Sequence, residues 1–173
     1  MGNGTFWHRR SVRAVADGWQ LHLNCAQKGG IQMKKIAICY WSGTGNTQAM
    51  AEAVEAGARA AGGDAQLFAV ADFDPGQVDA FDAIAFGCPA MGAEELETEE
   101  FEPVFQACEG KLSGKPIALF GSYGWGDGEW MSTWEDTCRS AGANLVCDSV
   151  ICQETPDDQA LSACRSLGAK LAE

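Results

Sequence analysis

From Lys34 to Ala172 short apolar runs alternate with helical stretches almost without interruption, and this alternation is the strongest constraint on the fold. The pattern predicts strands over 34–40, 64–70, 82–87, 116–120 and 144–151. It predicts helices over 46–61, 101–109, 130–141 and 157–172, with a shorter one over 75–80. Gly62-Gly63 and Gly142 supply helix stops. Strand–helix–strand units close into parallel pairs through right-handed crossovers, so the expected architecture is α/β: a doubly wound, five-stranded parallel sheet with helices on both faces. Ligands of such sheets bind beyond the carboxyl ends of the strands, which selects the loops after the first, third and fourth strands.

The first of these loops, Tyr40-Trp41-Ser42-Gly43-Thr44-Gly45-Asn46-Thr47, is rich in hydroxyls and glycine and opens a helix. The first N–H groups of a helix have no internal partner and lie at the positive end of its dipole, so an anion settles there. Between Thr47 and Lys111 the only basic side chain is Arg59, well down the helix, so a phosphate here would be held by neutral donors. A nucleotide-hydrolase loop would need Gly-Lys-Ser/Thr where Gly45-Asn46-Thr47-Gln48 stands, and Gln48 also fails the third glycine of the dinucleotide fingerprint. A Cys-x5-Arg phosphatase loop starting at Cys39 would need arginine at Gly45. In isolation the segment also admits a second reading, an ordinary serine or threonine helix cap after a turn.

The other two loops narrow the choice. Trp125 lies in a polar stretch among Gly121, Gly124, Gly126 and Gly128, where no core demands an indole, and it offers a flat face to a flat ligand. Met91, in Gly87-Cys88-Pro89-Ala90-Met91-Gly92-Ala93-Glu94-Glu95, supplies a flexible, polarizable second wall or else a core methionine. A phosphate cradle beside two walls for a planar ring describes a mononucleotide with a large aromatic system. Flavin mononucleotide (FMN) fits better than an adenine nucleotide, whose additional phosphates more often bring a cation.

Tyr-Trp-Ser-Gly-Thr-Gly-Asn-Thr, Gly-Cys-Pro-Ala-Met-Gly and Phe-Gly-Ser-Tyr-Gly-Trp-Gly-Asp-Gly-Glu-Trp resemble the three flavin-binding loops of short-chain flavodoxins, in order and separation. The resemblance covers Met33 to Glu173, and the fifth strand runs into Gln153-Glu154-Thr155-Pro156 without a long inserted loop. It implies strand order 2-1-3-4-5, for which the family is itself the standard example, and non-covalently bound FMN. It assigns cofactor contact to Ser42, Gly43, Thr44, Gly45, Asn46 and Thr47 in the first loop. Pro89, Ala90, Met91, Gly92 and Glu94 follow in the second, and Ser122, Tyr123, Gly124, Trp125, Gly126 and Asp127 in the third. Residues 42–47 would bind phosphate, Met91 and Trp125 would cover the two ring faces, and Glu94 would accept a hydrogen bond from the ring imide. Gly124 and Gly126 would reach the pyrimidine edge through their backbones. Pro89 stands where some relatives carry serine, and it has no N–H to donate.

The same resemblance implies a low-potential one-electron carrier passing through oxidised, semiquinone and hydroquinone states, with a peptide flip at Met91-Gly92, no catalytic side chain and no metal. Glu94, Glu95, Glu97, Glu99, Glu100, Glu102, Asp127 and Glu129 crowd the two ring-side loops. That run is expected to depress the last potential, to act as a solvated face, and to steer basic redox proteins such as ferredoxin- or flavodoxin-dependent oxidoreductases. The main competitor is an FMN-dependent quinone or NAD(P)H reductase of related fold, although no histidine and no basic cluster for a nicotinamide phosphate follow Met33.

The formal net charge of −12 rests on 24 acidic against 12 basic residues, which disfavours nucleic acid and anionic membranes. The eight cysteines are scattered, mostly in apolar runs and without a Cys-x-x-Cys, as expected for buried reduced thiols in a cytoplasmic monomer. Residues 1–32 differ from the rest: Arg9, Arg10, Arg13 and Lys28 face Asp17 alone, and no period is clear. Lys28-Gly29-Gly30 can be encoded by a purine-rich ribosome-binding sequence just upstream of Met33. The expectation is therefore a domain over 33–173 and an extension over 1–32 that is either disordered, a targeting peptide or a misassigned start. The intact mass of the native protein decides between them.

Overall fold

The computed structural model describes residues 32–173. The expectations about the start of translation and the N-terminal extension fall outside the described residues. Strands β1 (Lys35–Tyr40), β2 (Asp64–Ala69), β3 (Ala83–Gly87), β4 (Pro116–Tyr123), β5 (Asn144–Leu145) and β6 (Val150–Gln153) form one sheet. All its pairings are parallel, and the order is β2-β1-β3-β4-β5, with β6 also paired to β4. Helices α1 (Asn46–Ala60), α2 (Phe101–Glu109), α3 (Glu129–Ser140) and α4 (Asp158–Ala172) cover it.

The alternation along the central strands explains the layers. Ile36 and Ile38 of β1, Ala83 and Ala85 of β3, and Ala118 and Phe120 of β4 join Met50, Val54, Cys164, Leu167 and Leu171 beneath α1 and α4. Ala37 and Cys39, Ile84 and Phe86, and Ile117 and Leu119 face the other way, toward Phe101, Phe105, Trp130 and Trp134 of α2 and α3. Successive strand side chains point to opposite faces, so strands buried on both faces become almost wholly apolar. α1 and α4 approach until a Cβ on Gly57 would overlap the Arg165 carbonyl.

Two expectations are corrected. The fifth strand is not continuous over 144–151: β5 pairs with Pro116 and Ile117, β6 with Phe120 to Tyr123, and residues 146–149 break the run between them. In that break the Ser149 hydroxyl donates to Glu135 of α3. The two segments together fill the fifth position of the sheet. β4 continues past Phe120 through Gly121, Ser122 and Tyr123, so the first part of the third loop is strand. The expected short helix over 75–80 is present as a 3₁₀ helix, preceded by a 3₁₀ turn over Val70–Asp72. Among the described residues the cysteines are free, and Cys39, Cys88, Cys108, Cys138 and Cys164 are buried. None of the described helices is long and apolar enough to cross a membrane.

Candidate functional site

The carboxyl ends of β1, β3 and β4 deliver the three expected loops to one edge of the sheet. In the first, Gly45 takes φ +91°, and its N–H donates to Ser42 Oγ at 3.0 Å. That hydroxyl therefore serves the turn and not the helix: α1 begins with no side-chain cap and no acidic residue in its first turn. The plain-cap alternative fails, and the amides at the positive end of α1 stay available to an anion. Thr47 Oγ1, buried, lies 3.2 Å from Ser122 Oγ and ties this loop to the third.

A cleft of about 410 Å³ opens beside it, lined by Trp41, Gly43, Thr44, Asn46, Pro89, Ala90, Met91, Ser122, Tyr123, Gly124 and Glu154. It thus draws on all three loops. Met91 is 38% exposed along it, while Trp125 stands 65% exposed outside its lining. Glu154, with φ +56°, is a lining residue that the sequence did not single out. The donors of this cleft are hydroxyls and amides and its lining contains no base, which suits a phosphomonoester on a neutral, ring-bearing ligand. The fit to FMN is therefore chemical as well as topological.

The second loop is a tight hairpin. Met91 N–H donates to Glu95 O at 2.8 Å and Glu95 N–H to Met91 O at 2.9 Å, with Gly92 at φ +51° and Glu94 at φ +59° between them. Glu94 Oε1 accepts from the amides of Asp127, Gly128 and Glu129 at 3.2, 3.0 and 3.2 Å, so its carboxylate caps α3. The approach requires glycine at 126, because a Cβ there would overlap that carboxylate. Glu97 does the same for α2, accepting from Glu99, Glu100 and Phe101 at 2.8 Å each. Burial alone would push its carboxyl up, yet the three donors outweigh it and hold the group below the usual range.

Glu97 is thus not part of a solvated acidic face; it is buried. Sequence reading missed its structural role, although an acid three residues ahead of a helix cap was a usable signal. It also missed Trp41, whose Nε1–H donates to Glu100 Oε2 at 2.7 Å and joins the first loop to the head of α2. Gln153 was missed as well, and its Nε2 donates to the Gly124 carbonyl at 3.3 Å, holding the third loop.

The flavodoxin family model matches residues 38–168. A flavodoxin from Megasphaera elsdenii is 45% identical over 133 residues, covering 77% of this chain and 95% of that protein. A flavodoxin from Clostridium beijerinckii is 44% identical over 137 residues, covering 79% and 99%. The solution structure of two-electron reduced Megasphaera elsdenii flavodoxin superposes with a TM-score of 0.74, at 45% identity over 79% of this chain and 98% of that one. With the sheet order, the three converging loops and these relatives in agreement, the chain belongs to the flavodoxin family of FMN-binding electron carriers.

Proposed function

We propose that this protein is a low-potential, one-electron carrier that shuttles electrons between redox proteins bearing basic surfaces. The observation that carries the reading is a helix N-terminus without a cap, opening on a three-loop cleft that holds no base and is flanked by acids. Bound there, FMN would supply two successive one-electron steps.

The chain's own residues do the rest. Ser42 to Thr47 would hold the phosphate, Met91 would wall the ring, and Trp125, free at the surface, would close over its other side. Met91 O is already taken by Glu95 N–H, which leaves the Gly92 carbonyl as the one the turn can reorient on reduction. Glu95, Glu99, Glu100, Glu102 and Asp127 add negative charge beside a site that gains charge on reduction. Like charges in a partly desolvated site repel, so the second electron enters at low potential. The same acids steer basic partners into brief, salt-sensitive encounters of a monomer with its donor or acceptor.

A visible-spectrum reductive titration of the FMN-loaded protein tests this. Two resolved one-electron steps, the second at low potential, are expected, and a single two-electron step overturns the reading. Stopped-flow mixing with a reduced nicotinamide addresses the reductase of related fold; rapid direct reduction would favour that enzyme over a carrier.

A further inference from the structure

The hairpin that carries Met91 and Gly92 leaves the sheet at Cys88 and rejoins the body at Glu97, and one side chain touches both ends. Cys88 Sγ accepts from the Glu97 N–H at 3.3 Å and donates to the Pro89 carbonyl at 3.5 Å. The residue behind that sulfur is held on every side. Cys88 N–H donates to Phe120 O at 3.1 Å, its carbonyl accepts from Trp130 Nε1 at 3.3 Å, and a Cβ on Gly121 would overlap that carbonyl. Cys88 is 0% exposed, and burial pushes its thiol up to about 12, so it keeps its proton and can donate and accept together. Beyond Glu97 N–H, the Glu97 carboxylate grips the head of α2.

We infer that Cys88 is a positioning residue: its thiol clasps the two ends of the 89–97 hairpin against the β3–β4 platform, so that reduction reorients the peptide that carries the Gly92 carbonyl and not the whole loop. The inference rests on the reading of that peptide as the redox-responsive part of the site. Without the sulfur the hairpin would keep its backbone bonds to β4, among them Ala90 N–H to Ser122 O at 2.9 Å, but its Glu97 end would lose its tie to the Cys88 end, and the change would be shared among more torsions. Each sulfur bond is individually weak, and the effect lies in where the two converge. Cys88 is not among the residues that line the cleft, so replacing it leaves the lining side chains in place.

Cys88→Ala and Cys88→Ser in the FMN-loaded protein test the clasp through two readouts, the spacing of the two one-electron potentials and amide hydrogen exchange at Glu97. Cys88→Ala should lower the equilibrium constant given by that spacing about three- to fivefold and speed exchange at Glu97 by a similar factor. Cys88→Ser, whose hydroxyl can still donate and accept, should recover part of both. Unchanged spacing and unchanged exchange in a folded Cys88→Ala protein overturn the clasp, as does an unprotected Glu97 amide in the unmodified protein should neither variant fold. If the unmodified protein takes up its electrons in one step, the carrier reading fails while the exchange arm still decides the clasp.

Discussion

Three of the four described α-helices, α1, α2 and α3, follow the strands β1, β3 and β4 that deliver the site loops, and they begin differently. α2 and α3 each receive a carboxylate from the 89–97 hairpin, Glu97 on one and Glu94 on the other, each taking three backbone N–H donors. α1 receives none. All three ends carry the same partial positive charge and the same surplus amides. The difference teaches that the chain satisfies two of these ends from within and leaves the third open toward the cleft. It also assigns the hairpin acids two jobs, since part of an apparently uniform negative rim is internal scaffolding.

Removing a structural cap should have the largest effect. Glu97→Gln keeps the shape but loses the charge behind three short bonds, and should destabilise the protein by about 2–4 kcal/mol in urea unfolding. The pH dependence has a definite sign. The Glu97 carboxyl is held below its unfolded value, so its contribution is fully present above that unfolded value and is lost as pH falls through the folded one. The gap between native protein and Glu97→Gln should therefore be flat near neutrality and close in acid. A gap that widens in acid would break the comparison.

Giving α1 a carboxylate of its own inverts the contrast. Asn46→Asp should stabilise the apoprotein by about 0.5 kcal/mol through the helix dipole, yet weaken FMN at least about tenfold by calorimetric titration. Equal or tighter binding would mean that α1 is not the phosphate end. Next, a Cβ on Gly92 would meet only open space, but the residue sits at φ +51°, so Gly92→Val acts through backbone strain of about 1–2 kcal/mol. It should narrow the spacing between the two one-electron potentials, and an unchanged redox titration would show that this peptide does not move. Smallest is Trp41→Phe, which removes the 2.7 Å bond to Glu100 between the uncapped and capped ends. It should cost about 1 kcal/mol in urea with little change in FMN affinity.

The strands and helices around the site were legible because burial on both faces writes continuous apolar runs, and because Gly62-Gly63 and Gly142 mark helix ends. The break at 146–149 was not, since Asn144 to Ile151 has strand-like composition and the side chains alone do not show where the chain leaves the ladder. Within the site, the convergence of residues 42–47, Met91, Ser122 and Gly124 followed from loop position in an α/β sheet. Glu94 was expected at the ring imide and Glu97 only as one of an acidic run, because charges in a sequence carry no sign of which amides they will meet.

By itself, then, the sequence determined the layered α/β sheet, the three loops that meet at its carboxyl edge and the absence of a base from the first of them, since each depends on local pattern: period, turn residues and composition. Only the tertiary structure decided which carboxylates are spent as caps, that Ser42 serves a turn, and that one buried thiol closes the hairpin that carries Gly92. Those outcomes are set by contacts between segments far apart in the chain, where a difference of an ångström separates a bonded amide from one left open for a ligand.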